Sequence, residues 1–293
     1  MPPDRVPCEN TYPEIEDRLG HLTDPLPAPR PGDWRAEHRE KGQTFRQYLA
    51  ANPVRRDAER ATIYLCRVGE FDGPQQAVAD RTAEYLGLVF DTPVVTRRRV
   101  PTAELPARAK RKHPDSGGRQ LLAPYLLHEV LVPDRPDDAL AYLALTARDL
   151  WPGDGWNFVF GQADLRQRVG VCSLYRNGYP GPGEDRYRLC LRRTLMTAAH
   201  ETGHVLTLPH CTAHPCLMNG SNHLAERDAQ PSHPCPVCLR KLCWNLQVEP
   251  APYLLRLAAF HRDHGLGGAE WLVGAATALD GASLDPSPEH RSG

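Results

Sequence analysis

The stretch HETGHVLTLPHC, residues 200–211, constrains this chain more than any other. His200 and His204 are four apart. Only in a helix does that spacing stack two imidazoles one turn apart on one face; a strand would hold them about 13 Å apart. Glu201 then sits about 100° further round, able to reach a water on a shared ion without ligating the ion. Zinc held by such rings lowers the pKa of its water, and a carboxylate so placed takes the proton. The pentapeptide lies in RYRLCLRRTLMTAAHETGHVL, where Leu189, Leu191, Leu195, Met196 and Ala199 give a helix apolar surface. Asp185 is the expected N-cap. A helix that merely carries two His and a Glu would contain the same five letters. His210, six residues after His204, narrows the choice. The chain must leave the helix to return it to the ion, and three neutral nitrogens with one open position make a catalytic site.

The cysteines form a second constellation. Cys211 and Cys216 make one short-spaced pair, Cys235 and Cys238 another, with eighteen residues between the pairs. Four thiolates close a tetrahedral site and leave no room for water, which means structure and not catalysis. Four buried thiols, or a redox pair at CPVC, are the competing readings. Cys211 adjoins His210, so a structural zinc would pin the chain where it delivers the third histidine. His214, His223 and His233 are spare ligands. Asn219 and Asn222 fit turn chemistry better than catalysis. Cys66, Cys172, Cys190 and Cys243 read as small core or surface residues. Cys8 is a remote candidate for an inhibitory cap on the catalytic ion.

Composition bounds the partners. With 35 basic and 36 acidic residues, the chain has no net field to draw nucleic acid or an acidic membrane. The runs Arg97–Arg99 and Arg108–Lys112 fit a solvated face. No run of about 18 apolar residues signals a membrane span, and the N-terminus lacks a signal-peptide core. Nine cysteines, four at metal-ligand spacing, suit a reducing compartment; a cytoplasmic monomer is expected.

Residues 1–58 are Pro-rich and read as an extended arm with a short helix at 44–51. Segments 61–71, 89–100 and 138–150 read as strands, and 73–88 as a helix. Residues 118–132 read as a helix interrupted by Pro124. This alternation predicts an α/β fold with a mainly parallel sheet. Segments 156–164 and 168–177 are joined too closely for a crossover, so they predict an antiparallel hairpin at the sheet edge. A helix is expected over 251–267 and a disordered tail over 279–293. The body is thus 59–278, with the structural zinc segment at 211–243.

HETGHVLTLPHC, CLMNGSNHLAERD and CPVCLRKL together resemble the archaemetzincins, zinc peptidases of the metzincin clan; DLWPGDGWNFVFGQADLRQRVGVCSL (149–174) extends the likeness. The resemblance implies a metzincin-like mixed sheet with an antiparallel edge strand, a long active-site helix, and a small C-terminal part built on a four-cysteine zinc site. It implies His200, His204 and His210 as catalytic zinc ligands, Glu201 as general base, and Met218 as the methionine beneath the histidines. Cys211, Cys216, Cys235 and Cys238 would hold the second Zn2+. The expected activity is hydrolysis of peptide bonds in a peptide or protein substrate by a zinc-bound water. One alternative is a zinc-stabilised scaffold or binding protein with little or no turnover; another is a zinc-ribbon nucleic-acid binder, which leaves the HExxH helix unexplained.

One position departs from the family. Glycine is usual where this chain has Thr207, because the helix must break there and glycine takes φ > 0 at little cost. A β-branched residue does not. With Pro209 biasing Leu208 toward extended backbone, TLP is expected to turn without a positive φ.

Overall fold

The computed structural model describes residues 12–280. Cys8 and the tail from 281 on lie outside the described residues. Strand β5 (Ala139–Thr146) is buried at every position, so both its faces must be covered. Its side chains alternate between two cores. Ala141, Leu143 and Leu145 face one, and Tyr142 and Ala144 the other. Around it the sheet order is β2-β1-β5-β8-β7, with β1 at Thr62–Val68, β2 at Val94–Val100, β7 at Gly161–Asp164 and β8 at Val169–Ser173. The first four strands run parallel, and β7 pairs antiparallel with β8 at the edge. This is the mixed sheet with an antiparallel edge strand. At the other edge β2 is exposed from Val95 to Arg99, so the arginine run lies on a solvated strand.

Helices α4 (Gly73–Val89) and α6 (Glu184–Val205) cover the first core. α4 starts with a capping box, Asp72 accepting from Gln75 N–H and Gln75 from Asp72 N–H. α6 has Gly183 and not Asp185 before it, without a side-chain cap; Glu184 and Asp185 instead fill the first turn, where the helix dipole favours acids. Leu189 on this helix is exposed, unlike Leu191 and Leu195.

Residues 118–132 differ from the expected helix. Arg119–Leu122 is a strand, β4, between β3 (Lys110–Lys112) and β6 (Asp149–Trp151) in a second, small sheet. The helical turn α5 (Ala123–Tyr125) has Pro124 at its second position and runs on as a π-helix over Leu126–Leu131. Proline there starts a helix rather than interrupting one, because its missing N–H is at a position that needs no partner. Leu126, Leu127 and Leu131 close the second core.

The N-terminal segment is less extended than its prolines suggest. It holds α1 (Pro13–Leu19), α2 (Trp34–Glu37) and α3 (Phe45–Ala50). Ile15, Leu19, Phe45 and Tyr48 are buried in the first core. Downstream of α6 come α7 (Leu224–Asp228), α8 (Pro236–Leu246), α9 (Pro250–Asp263) and α10 (Ala269–Asp280). α10 occupies two positions assigned to the tail. Among the described residues no helix is long and apolar enough to cross a membrane.

Candidate metal centres

α6 puts His200 and His204 on one face, their Nε2 atoms 3.0 Å apart. His210 joins them, its ring 5.3 Å from His200 and 4.9 Å from His204 between centroids. One nitrogen from each of the three lies within 4.8 Å of the others. The ring tautomers follow from their partners. His200 Nδ1–H donates to the Leu217 carbonyl at 2.9 Å, and His204 Nδ1–H to the Leu208 carbonyl at 2.7 Å. A carbonyl only accepts, so the proton is on Nδ1 and the lone pair on Nε2. Two lone pairs then face each other at 3.0 Å, a contact that repels unless a cation lies between them. Burial, helped by the neighbouring histidines, holds His200 well below the usual imidazole value and pulls His204 down to about 4. Neutral rings are what a metal needs. The donor set fits zinc.

The turn that returns His210 corrects the expectation for Thr207. Its φ is +68°, in the left-handed region. Thr207 N–H donates to His204 O at 2.8 Å and Leu208 N–H to Gly203 O at 3.1 Å. That pair is a Schellman motif, which needs a left-handed residue at Thr207; proline two places on does not remove the requirement. The N-terminal segment supports the turn. Val54 N–H donates to Thr207 Oγ1 at 3.2 Å, and Tyr48 O–H to Leu206 O at 2.9 Å.

Glu201 is buried beside the edge strand. A Cβ on Gly161 would come within 2.5 Å of Glu201 Oε1, so glycine in β7 makes the room this carboxyl occupies. Burial pushes the carboxyl up to about 8, against the pull of the buried Arg227 guanidinium. Met218 lies beneath the histidine helix, where a Cβ on Gly203 would stand 2.5 Å from its Sδ. Glu201, the three histidines, Gly161 and Arg227 share one cleft of about 650 Å³, walled also by Trp34 and Trp156.

The four cysteine sulfurs also lie within 4.8 Å of one another, buried, and none is in a disulfide. Cys211 and Cys235 Sγ are 3.6 Å apart; sulfurs sharing a tetrahedral ion with bonds of about 2.3 Å stand about 3.8 Å apart. Met218 N–H and Cys235 N–H point at Cys216 Sγ, at 3.4 and 3.2 Å, as befits a thiolate. This set fits a closed zinc site.

The spare residues have other work. His214 Nδ1–H donates to the Asp24 carbonyl, and His223 Nδ1 caps α7 by accepting from Glu226 N–H. His233 stacks on Trp271 at 3.8 Å. Asn219 binds Cys211 O and His214 O and accepts from Cys216 N–H; Asn222 binds Gly32 O and Glu37. Sequence reasoning missed Glu40, Trp34, Gly161 and Arg227. Glu40 Oε1 accepts from His210 Nδ1–H at 2.8 Å across 170 positions, and no local spacing marks such a pair.

The chain is similar to known proteins along most of its length. Peptidase family M54 matches residues 132–243. Archaemetzincin-2 of Homo sapiens is 31% identical in an alignment of 254 residues that covers 75% of this chain and 69% of that protein. The archaemetzincin of Pyrococcus abyssi is 40% identical over 131 residues, 44% of this chain and 68% of that one. The crystal structure of archaemetzincin from Methanopyrus kandleri superposes with a TM-score of 0.53 at 28% identity, over 66% of this chain and 99% of the other. The chain belongs to the archaemetzincins, peptidase family M54, and is a zinc metallopeptidase.

Proposed function

We propose that His200, His204 and His210 hold the catalytic zinc and that Glu201 is the general base of peptide-bond hydrolysis in a metzincin-like site. The observation that carries this is the convergence of three histidines, their Nδ1 atoms already committed to other partners, beside a buried carboxyl in an open cleft. Bound zinc supplies a Lewis acid that acidifies a water and polarises the scissile carbonyl.

The residues of this chain do the rest. The outer edge of β7 has no strand partner among the described residues and offers its backbone to an extended peptide. Glu201, held against Gly161 beneath that edge, accepts the proton of the attacking water and passes it to the leaving amine. Its carboxyl lines the same cleft as the edge strand.

We further propose that Cys211, Cys216, Cys235 and Cys238 hold a second, structural zinc, giving two ions per chain. Thr207 replaces the family's glycine, yet His210 still stands beside the other two rings, which supports turnover over a zinc-stabilised scaffold.

Metal analysis of the purified chain should give about two zinc, one of which survives mild chelation. Glu201→Gln should keep both ions and lose peptide-library hydrolysis by about 10²–10⁴-fold. Undiminished hydrolysis in that variant removes Glu201 from the mechanism.

A further inference from the structure

His200 and His204 stand on a rigid helix, and each gives its Nδ1–H to a backbone carbonyl. His210 has neither support. It lies in irregular chain after the helix, and its Nδ1–H goes to a carboxylate from the far end of the sequence. Glu40 Oε1 and Oε2 are 2.8 and 3.1 Å from that nitrogen.

Glu40 is itself held. Trp34 Nε1–H donates to its Oε2 at 3.0 Å. The indole meets His210 edge-on, with centroids 4.9 Å apart, and seats on Gly220, where a Cβ would come within 2.5 Å of the ring. Trp34 N–H donates to Glu226 Oε1 at 2.9 Å. Asn222 Nδ2 donates to Gly32 O at 3.1 Å and Glu37 Oε2 at 3.0 Å. Residues 32–40 are therefore clamped to the chain that follows Met218, with a carboxylate aimed at the one histidine that no helix orients.

We propose that Glu40 is the positioning residue for His210, fixed in turn by Trp34, so that the N-terminal segment completes the catalytic centre. The inference rests on the reading of His210 as a catalytic metal ligand. A carboxylate on Nδ1–H keeps the proton there, leaves the lone pair on Nε2, makes that nitrogen a better donor, and fixes the plane of the ring. A neutral carbonyl does the first two but lacks the charge. Glu40 touches no reacting atom, so it acts only through His210.

The test is zinc affinity at the chelator-sensitive site, measured on the full-length chain by competition with a chromophoric chelator. Glu40→Ala should bind that zinc about 10–100-fold more weakly, with the chelation-resistant zinc retained. Glu40→Gln keeps the shape and an acceptor oxygen without the charge, so its loss should be smaller. Trp34→Phe keeps an aromatic ring at this place but removes the N–H to Glu40 and part of the indole surface against Gly220 and His210; it should weaken that zinc at least as much as Glu40→Gln. Cobalt substituted at the site should change its visible spectrum in the Glu40 variants, since His210 then sits differently, and kcat should fall with KM nearly unchanged. His210→Ala separates the two readings. If it weakens zinc while Glu40→Gln and Glu40→Ala bind as the wild type does, the role of Glu40 is overturned and the ligand set stands. If His210→Ala also binds zinc normally, the ligand set itself is wrong. Should Glu40→Ala unfold, Glu40→Gln decides the matter alone.

Discussion

Two clusters of candidate metal ligands meet at one peptide bond, between His210 and Cys211, and they are built by opposite rules. The cysteine cluster is closed. Its sulfurs are buried, its ligands come from 28 consecutive positions, 211–238, and backbone N–H groups point at Cys216. The histidine cluster opens on a cleft and needs a carboxylate 170 positions away to hold its last ring. A site that only stabilises can be local and sealed. A site that binds substrate must keep an open side, and the order that a sealed shell would give has to come from elsewhere in the chain.

Removing a closed-site ligand should therefore have the largest effect. Cys216→Ser leaves three thiolates and a weak donor, and structural zinc carries folding free energy of about 10–16 kcal/mol in small metal-dependent domains. The variant should lose the chelation-resistant zinc, lose His210 from the neighbouring site and abolish hydrolysis. Circular dichroism melting with metal analysis reads this. Full activity in Cys216→Ser would mean the two clusters are not coupled through residues 210–211.

Gly161→Ala should injure only the open site. The added methyl would stand 2.5 Å from Glu201 Oε1 and 2.7 Å from its Cδ and Cγ, so the whole Glu201 side chain has to swing aside if the strand holds its place. Displacing a catalytic group by about 1 Å costs about 10²-fold in rate. We expect kcat to fall by about that factor with both zinc ions retained and melting little changed. A large drop in melting temperature instead would place the clash on the backbone.

Acid separates the regions more gently. His233, beside the cysteine cluster, is driven to about 4 by burial, against its bond to the Pro234 carbonyl; burial lowers His261 as well. Both are neutral when folded and take a proton near 6.5 when unfolded. Between about 4 and 6.5 the unfolded chain binds more protons, so stability is full above that window and falls as pH drops through it. The melting temperature of the zinc-loaded protein should decline from pH 7 to pH 5. His233→Phe keeps a ring on Trp271 and removes one titration, so its decline should be shallower. An identical slope would mean His233 does not carry the acid limb.

The same contrast governs what the sequence discloses. All four cysteines, the three histidines and Glu201 could be singled out from spacing, because helix pitch and chelate-ring closure act over a few residues; Met218 came only with the family resemblance. The edge hairpin was legible for a similar reason, since a short connection forbids a crossover. Glu40, Trp34 and Arg227 were not legible, because their roles come from tertiary approach and leave no periodic mark. Residues 118–132 misled because the apolar run at 121–131 suits a strand end and a π-turn as well as an amphipathic helix. Pro124 has the same letter whether it breaks a helix or starts one.

Thr207, at the junction, is the finest test of the comparison. Left-handed backbone costs an L-residue roughly 1–2 kcal/mol, and Thr207 bears it at φ +68° because the Schellman bonds to His204 and Gly203 require it. Its hydroxyl gives some of that back by accepting from Val54 N–H, a bond of about 1 kcal/mol. Thr207→Gly relieves the strain and loses the bond, so the two changes nearly cancel and melting should shift little. Thr207→Ala keeps the strain and loses the bond, so it should be less stable than Thr207→Gly by about 1 kcal/mol. Both variants should retain the two zinc ions, since the main-chain bonds of the turn remain. If Thr207→Ala proves more stable than Thr207→Gly, the turn is not strained at this residue; if Thr207→Ala melts with the wild type, the hydroxyl bond to Val54 is not what makes threonine tolerable between the two centres.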